Sequence, residues 1–150
     1  MRKRSNIIAA AIALVGLGAC APLPEAQTFD LRKQPAAGLT ASQYLVHTAS
    51  QAAVAQIIAD DCLLYSFDEA AEDRLVDQTV ELMTTKMSYA EAQRSVRRAM
   101  RLADASIEPI IERYITETGA DFSNAASICR LGHQEKRLGG TIGSMLKRGT

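Results

Sequence analysis

The chain has 150 residues, 17 Lys and Arg against 17 Asp and Glu, 47% hydrophobic and 5% aromatic residues, and no Trp. That length suits one folded domain, and a formal charge of zero leaves no whole-chain footprint for nucleic acid, so no nucleic-acid partner is expected. Four Pro and nine Gly are too few for a collagen-like or disordered chain.

The N-terminus reads as an address. Arg2, Lys3 and Arg4 precede an uncharged run of twelve residues, Ile7 to Gly18, in the order of a secretory signal. The run is too short to cross a hydrocarbon core of roughly 30 Å. Leu17-Gly18-Ala19-Cys20 follows directly and resembles the lipobox of bacterial lipoprotein precursors. The resemblance implies cleavage before Cys20, a diacylglyceryl group on its sulfur and usually a third acyl chain such as palmitate. Ala19-Cys20-Ala21 also fits ordinary cleavage, but that cut leaves Pro22 first, which signal peptidase resists. Two or three acyl chains anchor a protein stably where one does not. Ala21 stands where Asp would resemble an inner-membrane retention signal, so the expected location is the outer membrane's inner leaflet, facing the periplasm. Losing residues 1–19 removes three basic residues and leaves 14 basic against 17 acidic, a net of −3.

Residues 20–39 carry Pro22, Pro24, Pro35 and Gly38 and read as a flexible tether, with Asp30, Arg32 and Lys33 facing solvent. Residues 40–150 read as an all-α bundle of about five helices. Capping boxes are expected at Thr40–Gln43, Ser66–Glu69 and Ser88–Glu91. They open helices over about 41–62, 69–86 and 89–104. The first turns Val46, Ala49, Ala53, Ile57 and Ile58 inward; the second Val76, Val80, Met83 and Met87; the third Ala92, Val96, Ala99 and Ala103. Ser106 is expected to cap a fourth helix, with Pro109 in its first turn and Gly119 at its end. Its buried stripe is Ile107, Ile110, Ile111, Tyr114 and Ile115. Ser123 starts a fifth helix with Ile128, Leu131 and Leu138 on one face, and Gly139-Gly140 breaks it before a tail helix with Ile142, Met145 and Leu146. No stretch alternates long enough to predict a strand.

With Cys20 assigned to lipid, Cys62 and Cys129 remain as an even pair in an oxidising compartment, where such pairs close. Closing so wide a loop stabilises by about 4 kcal/mol in the chain-entropy model. The competing reading is a metal site, since Cys129 and His133 share a helix face and Cys62 with Asp61 could complete it. No paired-cysteine or paired-histidine spacing supports it, so no metal or cofactor is expected.

Nothing forms a catalytic signature, and no enzymatic activity is expected. His47 reads as a partly exposed surface histidine, and Ser50, Asp60 and Asp61 on the same helix show no triad arrangement. Glu108, Glu112 and Glu117 read as a solvated face. Arg94, Arg97, Arg98 and Arg101 step by 0, 3, 4 and 7, so one helix face carries all four guanidinium groups. That face could bind lipid phosphates or an acidic protein. Glu91–Arg94 and Arg101–Asp104 pairing would instead leave it an ordinary solvated surface, and this is the favoured reading.

The region from Cys62 onward, through Tyr114 with Gly119 and Cys129-Arg130-Leu131-Gly132, resembles a family of small uncharacterised secreted alphaproteobacterial proteins, a domain of unknown function. The resemblance implies a helical envelope domain with one disulfide and supplies no activity. The expected role is therefore an interaction or structural accessory of the cell envelope, held by its lipid and partnered by an envelope protein or anionic lipid. The alternative is a ligand- or lipid-binding module with an apolar cavity, for which Met83, Met87, Met100 and Met145 would form an adaptable lining.

Overall fold

The computed structural model describes residues 29–101 and 107–149, except the side chain of Arg101. Cys20 and its lipobox, Asp104 and the expected cap Ser106 lie outside the described residues. The fold is an all-α bundle: α1 (Ala41–Asp61), α2 (Glu69–Met83), α3 (Tyr89–Arg101), α4 (Glu108–Thr118), α5 (Ala125–Leu138) and the short α6 (Thr141–Ser144).

Helix α1 organises the rest. Its capping box is complete: the Thr40 hydroxyl accepts from the Gln43 amide, and the Gln43 side chain accepts from the Thr40 amide at 2.6 Å. The helix packs against α2, α3, α4, α5 and α6. Tyr44, Val54, Ala55 and Ile58 are buried, and so are the polar His47, Thr48, Ser50 and Gln51. The expected stripe is too narrow: Ala49 and Ile58 are buried, but Val46, Ala53 and Ile57 are only half-buried. Small residues around the circumference let neighbours approach from several sides, and several buried polar groups find partners close by. Thr48 and Thr79 share a hydroxyl hydrogen bond of 2.8 Å, and Ser50 donates to the Val46 carbonyl at 2.7 Å.

Two strands depart from the expectation of helices alone. β1 (Tyr65–Phe67) and β2 (Leu146–Arg148) pair antiparallel, with Tyr65 opposite Arg148 and Phe67 opposite Leu146. Three residues are too few for alternation to register in the sequence, and β2 takes Leu146, which the spacing places in the tail helix. Ser66 lies in β1 and does not cap α2. Asp68 does, its carboxylate accepting from the Ala70 and Ala71 amides. α2 ends at Met83 rather than residue 86, where the Thr84 and Thr85 hydroxyls bond back to the Glu81 and Leu82 carbonyls and offer the backbone an alternative to the helix. At α3 the Glu91 carboxylate reaches back to the Ser88 amide and hydroxyl, which is one arm of the expected box. Asn124, not Ser123, caps α5; the Ser123 hydroxyl donates to Asp121 instead. Gly119 and Gly139 end α4 and α5 in the left-handed conformation, with φ of 67° and 65°, as their positions in the sequence predict.

The segment before α1 is packed rather than tether-like from Phe29 onward. Leu31 is 2% exposed, and Gln51 holds its carbonyl at 2.9 Å. Arg32 is half-buried rather than solvent-facing: its Nε and Nη2 each lie 2.9 Å from Oε1 of Glu135, which is fully buried in α5. The Arg32 guanidinium also stands over the Tyr114 ring, 5.7 Å from its centroid. Burial, together with the Glu135 carboxylate, pushes the Tyr114 hydroxyl well above the usual tyrosine range. Lys33, by contrast, is exposed and pairs with Asp30 at 3.1 Å.

Candidate functional site: an apolar groove with an acidic rim

A groove of about 670 Å3 lies where α1, α2, α3 and α4 meet. Ala49, Ala52 and Ala53 of α1 form its floor, their short side chains leaving the space above them unfilled. Ile57, Phe67, Met100, Ile107 and Ile111 form apolar walls. Glu72 on α2 and Glu108 and Glu112 on α4, together with Gln56, supply the polar lining. The two α4 glutamates are four residues apart and so share one helix face. Glu72 is half-buried. Burial raises its pKa, and the Asp73 and Glu69 charges add to that effect against the opposing pull of Arg97. No nucleophile, imidazole or cationic side chain lines the groove among the described residues. Its chemistry is therefore that of an apolar slot favouring a positive charge at its rim.

The other candidate residues fall elsewhere. Arg94, Arg97 and Arg98 lie together on α3 and, with Glu91 and Ser95, border a second concavity of about 600 Å3. Of these three, Arg97 forms an ion pair with Asp73 on α2 at 3.3 Å. The Glu91 carboxylate is held by Ser88 rather than bridged to Arg94, while the Arg101 side chain and Asp104 are outside the described residues. Glu108, Glu112 and Glu117 are all exposed, as the solvated-face reading expects; Glu108 and Glu112 also border the groove, and Glu117 lies outside its lining. Of the four methionines only Met100 lines the groove; Met83 and Met145 are fully buried in the core, and Met87 packs against it.

His47 corrects the surface reading: it is 3% exposed, its ring tilted against Phe29 with the centroids 5.2 Å apart. Neither ring nitrogen has a hydrogen bond of normal geometry, and burial pushes its pKa below 6.5, opposed by the nearby Asp30 and Lys33 backbone. Ser50 is spent on the Val46 carbonyl, and Asp60 accepts from Gln56 at 2.7 Å, so these residues assemble no triad. Cys62 and Cys129 form a disulfide with Cα atoms 5.0 Å apart, which leaves neither sulfur free as a ligand. His133 hydrogen-bonds Tyr65 instead, and no cluster of metal-ligating side chains occurs among the described residues.

Compared with family models, with curated proteins and with solved structures, the chain matches none of them.

Proposed function

We propose that this chain is a lipid-anchored protein of the bacterial cell envelope whose helical domain binds an elongated apolar ligand carrying a positively charged head. The anchor rests on Leu17–Cys20, and no helix among the described residues is long and apolar enough to cross a membrane. The observation that carries the ligand reading is the groove. Its volume of about 670 Å3 is in the range of small-molecule sites, and its lining combines an apolar floor with a few polar groups of one sign. A packed core with no concavity would have favoured the accessory reading. A cation at the rim would relieve the crowding of Glu72 by Asp73 and Glu69. The ligand's apolar tail would displace water from the alanine floor.

The test uses alkyl chains of one length with three heads, titrated below their micellar concentrations by calorimetry: a trimethylammonium, a sulfate and a neutral sugar. The ammonium compound binds tightest, Glu108→Gln with Glu112→Gln weakens it about tenfold, and Ala52→Phe, which fills the floor, abolishes it without lowering helix content. Equal binding of the sulfate compound, or binding that survives Ala52→Phe, refutes the assignment. The anchor is tested apart: Cys20→Ser accumulates as unprocessed precursor without acyl label, and normal maturation of that variant would refute the lipoprotein reading.

A further inference from the structure

A second surface has the opposite chemistry. Arg130, His133, Gln134 and Arg137 step by 0, 3, 4 and 7 along α5 and so share a face, and Arg148 joins them from β2 because the strand register sets it opposite Tyr65. With Tyr65 and Lys136 they line a concavity of about 590 Å3 that contains no acidic side chain among the described residues. The neighbouring Lys147 is neutralised by Asp68 at 2.9 Å, whereas no acid within the concavity does the same for Arg130, Arg137 or Arg148. Lys136 is turned to the Gly143 and Leu146 carbonyls. Cations in the last turn of α5 suit the helix dipole, which accounts for Lys136 and Arg137. It does not account for Arg130 nearer the helix start or for Arg148 on a strand.

His133 adds an imidazole. The Tyr65 hydroxyl and its Nδ1 share a hydrogen bond of 2.7 Å, which fixes the ring at the edge of the concavity. The close approach is made possible by Gly132, where a Cβ would stand 2.8 Å from Ile58 and 2.9 Å from the Tyr65 ring. The rim is thus built from guanidinium, imidazole and amide groups.

The same end of the molecule exposes apolar surface. Leu63 is 96% exposed and Leu64 54%, in the turn between Cys62 and Tyr65. The Gly149 amide donates to the Leu64 carbonyl at 2.9 Å, which holds this turn beside Arg148. The Cys62–Cys129 bridge holds it beside Arg130. Leu138, also largely exposed, follows Arg137. We propose that this surface docks the domain flat onto an anionic phospholipid bilayer, with Arg130, Arg137, Arg148 and His133 on the headgroup phosphates and Leu63 and Leu64 entering the acyl boundary. Arginine forks match phosphate oxygens, and exposed leucines beside cations are how interfacial proteins enter a bilayer. The length of chain before the domain permits it: from Cys20 to Phe29 there are nine residue steps, a reach of up to about 30 Å.

The absence of Trp makes the test clean. Leu64→Trp and, on the α3 side, Tyr89→Trp are each made in the full chain and mixed with vesicles containing brominated lipid, either anionic phosphatidylglycerol or zwitterionic phosphatidylcholine. Flotation records whether the chain is anchored, and quenching records which face meets the lipid, so failure of the anchor and failure of docking are told apart. Quenching at position 64, strong on anionic vesicles and weak on zwitterionic ones, is expected, with little at position 89. Arg130→Gln, Arg137→Gln and Arg148→Gln together lower the docked-to-free ratio about a hundredfold, roughly fivefold for each charge. Arg97→Gln with Arg98→Gln leaves it unchanged. Equal quenching at both positions, equal quenching on both lipids, loss through the α3 pair instead, or suppression of docking by millimolar inorganic phosphate at constant ionic strength overturns the proposal. The last outcome would assign the concavity to a soluble phosphate.

Discussion

Replacing Arg32 with Met tests whether the segment before α1 is held by its ion pair or by its apolar contacts. Glu135 is 0% exposed, and its Oε1 accepts one hydrogen bond from Arg32 Nε and lies 2.9 Å from Nη2 as an ion pair, while Oε2 has no hydrogen-bond partner. Arg32→Met keeps a stem of similar length over Tyr114 and removes both that hydrogen bond and the ion pair. Breaking a buried pair by deleting one partner costs about 3–5 kcal/mol. Here the Arg32 side chain is 35% exposed, so water already screens part of the attraction and about 2–3 kcal/mol is the expected loss. Against a domain stability of roughly 5–15 kcal/mol and a urea slope of about 1.5 kcal/mol per M, the unfolding midpoint falls by about 1–2 M. The double variant Arg32→Met, Glu135→Met returns to within about 1 kcal/mol of the parent, because an apolar pair replaces the ionic one without leaving a buried charge. Far-UV circular dichroism in urea follows both. Additive losses in the double variant would show that the two side chains contribute independently and would refute the coupling.

The disulfide closes a separation of 67 residues, so Cys129→Ser lowers stability by about 2–5 kcal/mol, with helix content partly retained. Intact mass after thiol alkylation checks the bridge, and two alkylated thiols in the mature protein would refute it. His47 carries a pH signature: its folded pKa lies below the unfolded value near 6.5, so stability is flat above that pH and falls as acid protonates the unfolded chain first, by up to about 1.4 kcal/mol per pH unit. Asp30, Asp68, Glu91 and Asp121 have lowered pKa values and act only nearer pH 4, while the raised Glu72 acts in the opposite direction. His47→Leu should flatten the profile between pH 5 and 6.5, and an unchanged profile there would assign the acid sensitivity elsewhere.

Much of the helical framework is legible in the sequence because capping chemistry and apolar spacing are local. Thr40–Gln43, Gly119 and Gly139 act where their positions predict. Local rules fail where two side chains compete to cap the same helix. Asp68 lies nearer the α2 amides than Ser66 and carries a charge suited to a helix N-terminus, and Asn124 similarly displaces Ser123. The burial of His47 leaves no trace in the sequence, because the chain that covers it, Phe29 to Lys33, has too little apolar periodicity to announce that it packs. Of the groove only Met100 is legible, since the lining comes from four helices and β1 and no single stretch carries its pattern. The basic surface is partly visible. Arg130, His133, Gln134 and Arg137 repeat the spacing of Arg94, Arg97, Arg98 and Arg101, but half of the set is uncharged, and Tyr65 and Arg148 join it only through the strand pairing.

A formal charge of zero conceals a separation that α1 enforces. Ala49 and Ile58 are nine residues apart, about two and a half helical turns, and therefore project from opposite sides of α1. Ala49 belongs to the groove floor, with Glu72, Glu108 and Glu112 in its lining. Ile58 lies against Gly132 and, with Tyr65, backs the basic surface. A helix obliged to serve both sides cannot be amphipathic, which is why α1 is rich in Ala, Ser and Thr around most of its circumference and why its buried surface is wider than one apolar stripe. The arrangement also keeps the proposed functions from interfering: a bilayer beneath Arg130 and Arg148 leaves the acidic groove on the other side of α1, facing solvent. Coupling between them would have to pass through α1 itself. The disulfide resists that, because Cys62 at the end of α1 is bonded to α5 beside Arg130.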